Sequence, residues 1–483
     1  MTLIKNGTII DGTGAPGFVG SVLIDGDRIV EVFRGEASGS LAEETIEATG
    51  LLITPGFIDA HSHSDAYLIL EPSAPSKITQ GITTEINGQC GGSIAPKYGE
   101  ARLSSDWKTL LGDRLTWHTL AEYREVFEAA QPAINSVQFI GHNTLRSSVI
   151  GYTNRPCTSE DMARIEYLLE EALEQGGWGL TTGLIYPPGK YSTPEEVVTL
   201  AKLTAKRGGY YATHMRSEGD RIEEAIDEVL ELVKATGIKA EISHLKTAGA
   251  KNWHKIDRVL EKLEDAIDKG QLLGSDRYPY CAAGTDLDVV LKDDGTLEDR
   301  DWSTVMIGGT WHEDNKQYSG KLVSEIGGPD KIFEILKKDG NKTGAFFFGM
   351  SEENLKKIYM RPWIVPGSDA SLRAPWGPLG EDWPHPRAYA TMPEFYRRVR
   401  ALGFSREETI ARMTGVTAQR FGIKDRGVLA AGKFADIVVW DEAKFKAKAT
   451  YAKPHQFTEG IKHIFVNGVK SDSEHRAGRF LER

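Results

Sequence analysis

At 483 residues with a formal net charge of −11, the chain is too long for one ordinary hydrophobic core and offers no broad basic surface for nucleic acid or an anionic membrane. Its three cysteines, Cys90, Cys157 and Cys281, are too few and too scattered for a secreted disulfide framework. The start, MTLIKNGTIIDGTG, lacks a basic segment followed by a long apolar one, and no apolar run reaches membrane-span length; the expected setting is soluble and cytoplasmic, with neither a nucleic-acid nor a membrane partner.

Residues 2–54 hold short alternating runs, TLIKNGTII, GSVLIDGDRIVEV and ETIEATG, punctuated by Asn-Gly and Asp-Gly turns that favour hairpins. Eight candidate strands follow, at 57–63, 82–90, 134–143, 178–186, 209–215, 239–246, 272–280 and 362–369. Helical stretches such as ARIEYLLEEALEQ and IEEAIDEVLELVKATG separate most of them. Strands alternating with helices argue for a parallel sheet, and eight of them for an α/β fold of the closed (β/α)8 type over about 55–415. A doubly wound open sheet is the alternative, but no strand is followed by the glycine fingerprint of a dinucleotide site. The long gap between the seventh and eighth strands reads as an insertion at about 285–350, of the kind that covers or shapes a site. After a helix around SREETIARMTGVTAQRF the tail returns to alternating runs, FADIVVW and HIFVNGV. Residues 1–54 and 416–483 are therefore expected to pair into one small β-sandwich domain outside the barrel.

Several residues that bind metals or move protons stand near the ends of these strands: His61, His63, Cys90, His214, His244 and Asp369. In a barrel such ends converge on one mouth, so donors far apart in sequence come within reach of one ion. In FIDAHSH, strict strand alternation would send Phe57, Asp59, His61 and His63 to one face, where two imidazoles can share a metal. Each residue has a plainer reading: a strand histidine is often a hydrogen-bonded core residue, Cys90 a small buried apolar one and Asp369 a turn cap. Lys246, two residues beyond His244 on the same face, and Tyr278 have plain readings as a rim cation and core packing. The pairing of His61 with His63 and the shared position at strand ends favour a metal-dependent hydrolase.

TPGFIDAHSHSD, flanked by β segments and followed late by FADIVVWD, resembles the amidohydrolase superfamily. NGQCGGSIAP, GHNTLR, TTGLIYPPG, THMRSEGD, ISHLK, GSDRYPY and PGSD followed by PHPRAY resemble its N-acyl-D-amino-acid deacylases, or D-aminoacylases, and these motifs run from about 52 to 391. The resemblance implies a barrel with a small β-sandwich and zinc-dependent hydrolysis of the linear amide of a small-molecule N-acyl-D-amino acid. It implies that Cys90, His214 and His244 hold one tight Zn2+ and that His61 and His63 form a second, weaker or vacant position. Many two-metal amidohydrolases bridge their ions with a carboxylated lysine on the fourth strand, whereas WGLTTGLIYPPG has no lysine before Lys190.

The chemistry then assigns roles. Amide cleavage needs a proton delivered to the departing nitrogen, and Asp369 is the candidate shuttle. A free carboxylate needs a cationic anchor, for which Lys246 is placed; the resemblance adds Tyr278 and Arg387. CAAGTD offers Thr285 where the family often has a serine, and the apolar LDVVL after it favours neutral or hydrophobic substrate side chains over acidic ones. The rivals are a cyclic-amide hydrolase of hydantoinase or dihydroorotase type, against which Cys90 and the missing lysine stand, and a barrel kept as a non-catalytic scaffold.

Overall fold

The computed structural model describes the chain apart from residues 36, 38–41, 102, 104, 105, 293 and 472–474. Its central wall is made of eight parallel strands: β1 (Phe57–Asp59), β2 (Ile82–Asn87), β3 (Asn135–Gln138, resumed at Ile140–Gly141), β4 (Gly179–Gly183), β5 (Tyr210–His214), β6 (Lys239–Ile242), β7 (Leu273–Arg277) and β8 (Ile364–Pro366). The ring closes where the Ala60 amide donates to Pro366 O at 3.1 Å, the Asp369 amide donates to His61 O at 2.8 Å, and Ser62 bridges Ala370. The eight-stranded barrel expected from the strand and helix alternation is thus present.

The outer helices form for the reasons their sequences suggest. Ile222–Thr236 buries Ile222, Ala225, Ile226, Val229, Leu232 and Val233, one stripe at three- and four-residue spacing, and ends on Gly237 in the left-handed conformation. Ser159–Glu174 starts from a capping box between Thr158 and Asp161, which satisfies amides that the first turn leaves unpaired.

Each ladder is shorter than its predicted strand. At the mouth the strands splay, and polar residues there turn towards one another instead of continuing the pairing. The alternation expected through Phe57, Asp59, His61 and His63 also breaks down. The register shifts between Phe57 and Ile58, and the chain bends at Ala60 and His61. Phe57 therefore packs on Trp440 and Phe445, while Asp59 turns to Lys77 Nζ at 2.9 Å, and only the two histidines meet.

The terminal segments build one eight-stranded sheet from Thr2–Ile9, Phe18–Asp25, Arg28–Arg34, Glu44–Glu47, Leu52–Pro55, Ile437–Trp440, Ile461–Val466 and Val469–Lys470. It curls until the Ile29 amide reaches Lys433 O at 2.9 Å, so a single sheet supplies both layers around Ile4, Val22, Ile53, Ile437 and Phe465. The last strand, Phe480–Leu481, leaves that sheet and pairs with β3 at Ser136 and Val137. It enters the barrel wall where β3 is interrupted, and β3 pairs with β4 through Ile140 and Gly141.

Between β7 and β8 the chain forms a three-stranded antiparallel sheet, Ala283–Asp286, Val305–Ile307 and Gly344–Phe347, with the helix Asp330–Asp339. Leu287 and Val290, in the apolar LDVVL segment, are fully buried in this insertion's own core with Ile307, Ile332 and Ile335. Among the described residues no helix is long and apolar enough to cross a membrane.

Candidate metal centre and active site

The donors gather at the C-terminal mouth of the barrel. His61 Nε2 lies 3.4 Å from Cys90 Sγ, and Cys90 Sγ lies 3.4 Å from His244 Nε2. Asp369 Oδ1 is 3.5 Å from His61 Nε2 and 3.1 Å from His63 Nε2. One ligand atom each from His61, Cys90, His244 and Asp369 fall within 4.8 Å of one another. The His214 ring packs 4.6 Å from that of His244; its Nε2 lies 3.5 Å from Glu218 Oε2, and neither of its buried nitrogens makes a hydrogen bond. Burying two such nitrogens unpaired is costly unless a ligand meets one of them.

Three of these residues stand on left-handed backbone: Cys90 at φ 53°, His244 at φ 40° and Asp369 at φ 50°. Such conformations cost about 1–3 kcal/mol each and persist only where surrounding bonds enforce them. For His244 the enforcing bond is its own amide to Asp276 Oδ1 at 3.0 Å, and for Asp369 its amide to His61 O at 2.8 Å. Asp369 is clamped from both sides as well. The Ser368 amide donates to Asp59 Oδ1 at 2.7 Å, and the buried Lys77 ammonium donates to Ala370 O at 3.1 Å and to Asp59 Oδ2 at 2.9 Å. Gly367 lets β8 approach: a Cβ there would lie 2.7 Å from both Asp276 Oδ1 and His61 Cβ.

Electrostatics match this geometry. Burial alone would push the Cys90 thiol up, yet the charges of His61 and His244 outweigh it and hold the thiol well below its ordinary range. Burial likewise opposes ionisation of Asp369, but Arg387 beside it, helped by His244 and His63, holds the carboxyl well below the usual carboxylate range. His244 is pushed up to about 10 because Asp369, Glu218 and Cys90 outweigh burial and the Lys246 charge. A thiolate and carboxylates this deep call for a cation, and a divalent ion meets that demand by displacing protons from the imidazoles. The sulfur, nitrogen and carboxylate donors fit zinc.

The substrate-side candidates lie against the same centre. Lys246 Nζ is 2.7 Å from His244 Nδ1 and pairs with Glu218. Tyr278 is fully buried, its ring facing the Arg387 guanidinium at 4.6 Å and that of Arg277 at 4.0 Å. Arg387 Nη1 lies 2.8 Å from Asp369 Oδ2, and its Nη2 donates to Gly284 O at 3.1 Å, so the guanidinium is already engaged with the proposed shuttle. Thr285 Oγ1 faces the Tyr186 hydroxyl at 3.5 Å. The connection between Ile437–Trp440 and Ile461–Val466 also contributes: the Tyr451 hydroxyl meets His385 Nε2 at 3.0 Å, and His385 Nδ1 accepts the Arg387 amide at 3.0 Å.

Sequence reasoning passed over two carboxylates. Asp276 Oδ2 contacts His61 Nδ1 at 3.2 Å while its other oxygen takes the His244 amide. Glu218 contacts His244 Nδ1 at 3.0 Å. Their signal lay inside the same motifs: Asp276 of GSDRYPY is on the strand beside the one that leads to His244, and Glu218 of THMRSEGD stands four residues past His214.

The model of the amidohydrolase family matches residues 44–297 and 354–469, passing over most of the insertion. A D-aminoacylase of Alcaligenes xylosoxydans xylosoxydans is 34% identical over 496 residues, covering 100% of this chain and 97% of the relative. A solved D-aminoacylase, studied for its binuclear metal centre, superposes with a TM-score of 0.88 at 33% identity, covering 100% of this chain and 99% of that one. An N-acyl-D-glutamate deacylase from Bordetella bronchiseptica, in complex with zinc and a phosphonate mimic of the tetrahedral intermediate, gives 0.88 at 30% identity, covering 100% and 99%. Matched from end to end in sequence and in fold, with a cysteine among the candidate metal donors at its mouth, the chain belongs to the amidohydrolase family and, within it, to the N-acyl-D-amino-acid deacylases.

Proposed function

We propose that this chain is a zinc-dependent hydrolase that cleaves the amide of N-acyl-D-amino acids to a carboxylate and a free D-amino acid, with neutral or hydrophobic side chains preferred. One observation carries the reading: a thiolate, imidazoles and a carboxylate meet in a barrel mouth beside the cations Lys246 and Arg387. In this reading Cys90, His214 and His244 hold one tight zinc, and His61 and His63 contribute to a second, weaker position. When bound, zinc supplies Lewis acidity towards the acyl carbonyl and lowers the pKa of a water to about 7.

The chain's own residues do the rest. Asp369 faces the donors with Oδ1, and Arg387 at Oδ2 keeps it ionised, the form that accepts a proton from the attacking water. Asp369 then delivers that proton to the leaving nitrogen. Lys246 and the Tyr278 hydroxyl anchor the substrate α-carboxylate, and Arg387 borders the same space. Lys246 and Arg387 are each paired with a protein carboxylate, Lys246 with Glu218 and Arg387 with Asp369, which supports neutral over acidic side chains. The D-hand rests on family membership.

Zinc-replete protein should release amine from N-acetyl-D-methionine but not from N-acetyl-L-methionine, and chelated protein from neither. Zinc-independent release, or release from the L-form alone, would overturn the reading. Turnover of N-acetyl-D-glutamate should show the lower kcat/KM; the reverse order would reassign the side-chain preference. Lys246→Met should raise KM about 10- to 100-fold with a smaller change in kcat, as expected for losing one charged hydrogen bond to the substrate. An unchanged KM would remove Lys246 from the anchor.

A further inference from the structure

Glu218 lies in the loop between β5 and the helix Ile222–Thr236, four residues after His214, and its side chain is 10% exposed. One oxygen, Oε1, is 3.0 Å from His244 Nδ1 and also pairs with the Lys246 ammonium; the other, Oε2, is 3.5 Å from His214 Nε2. Its carboxylate therefore touches two metal donors and the proposed substrate anchor at once.

His214, Glu218 and His244 are themselves close enough to hold an ion. The Lys246 ammonium argues against that use. It lies 2.7 Å from His244 Nδ1 and donates to His244 O at 3.2 Å, so a cation of the protein's own already fills the space beside Glu218. His244 turns its other nitrogen, Nε2, to Cys90 Sγ. An ion shared with Cys90 needs the Nε2 lone pair, and a neutral imidazole offers it only when its single proton sits on Nδ1.

Lys246 works against that tautomer. An ammonium at hydrogen-bond distance from Nδ1 donates to it, which sends the ring proton to Nε2 and blocks the atom the metal requires. Glu218 Oε1 reverses the preference by accepting from both Nδ1–H and Lys246. Resting on the zinc assignment above, we infer that Glu218 is a positioning residue that sets the His244 tautomer and shields it from Lys246, so that one site holds both a metal and a substrate-binding cation.

The test is zinc affinity, measured on metal-stripped protein by competition with a chelator of known strength. Glu218→Gln should weaken zinc about 10- to 100-fold, the range seen when a carboxylate behind a metal-bound histidine is lost. Lys246→Met alone should leave affinity within about twofold, and adding it to Glu218→Gln should recover most of the loss, because the competing donor is gone. A role in folding alone would not give that recovery. Affinity within twofold of wild type in Glu218→Gln, or a double variant as weak as the single one, overturns the inference. Where the Gln variant does not fold, Glu218→Asp keeps the charge but shortens the arm; it must also bind zinc more weakly, and unchanged affinity overturns the inference. If wild-type protein binds no zinc, the metal assignment itself falls, and the inference with it.

Discussion

Asp369→Asn is expected to lower kcat by about 10²- to 10⁴-fold, the usual contribution of a positioned acid and base, while zinc stays bound. The substitution is a clean one on physical grounds. Asp369 occupies left-handed backbone at φ 50°, a region asparagine tolerates better than almost any residue but glycine, so the turn between Ser368 and Ala370 should survive. Its flanking clamps, the Ser368 amide on Asp59 and Lys77 on Ala370, do not involve the altered side chain. What changes is the charge facing His61, His63 and Arg387. The proton acceptor disappears, and Arg387 loses its carboxylate partner. Zinc content, melting temperature and kcat should be measured on the same preparation. Near-normal turnover with zinc in place would remove Asp369 from the proton path, and loss of zinc would recast it as a ligand.

The barrel was legible because hydrophobic periodicity is local. The stripe on Ile222–Thr236 and the apolar runs of the eight strands are visible within a dozen residues each, and counting them suffices for the architecture. The candidate donors could be picked out for a related reason: His214 and His244 stand at or just past the last paired residue of a strand, where barrel geometry gathers side chains. What could not be read depends on partners remote in sequence. The left-handed turns at His244 and Asp369 are fixed by hydrogen bonds across strands rather than by their own residue types. Asp59 looked like a neighbour of His61 by alternation, yet Lys77 and Ser368 draw it away. Phe480–Leu481 entering the wall at β3 joins segments more than 340 residues apart, and no local pattern announces that. The LDVVL segment carries no cation, but its apolar residues serve the insertion's own core, a destination that no local pattern discloses.

Cys90→Ser is expected to abolish the tight zinc and, with it, turnover. Under the proposed assignment Glu218 and Asp276 would reach the metal only through the imidazoles they contact, and losing such a residue typically costs about 10- to 100-fold in affinity; removing a direct donor should cost more than about 100-fold. The reason lies in the charge of the donor. His61 and His244 hold the Cys90 thiol well below its ordinary range, so at neutral pH it offers a thiolate. A serine hydroxyl in the same place keeps its proton and offers only a neutral oxygen. The paired variant His63→Asn separates the two proposed positions. His63 is the more open of the two histidines that follow β1, its side chain 29% exposed against 0% for His61, and its Nε2 contacts Asp369 at 3.1 Å. Its loss should therefore leave about one zinc per chain bound with near-native affinity. Chelator competition on both variants, with melting temperatures of the metal-stripped proteins as a folding control, reads the assignment directly. If Cys90→Ser retains zinc and His63→Asn loses it, the tight position lies on the β1 side of the mouth, and Cys90, His214 and His244 form the weaker one.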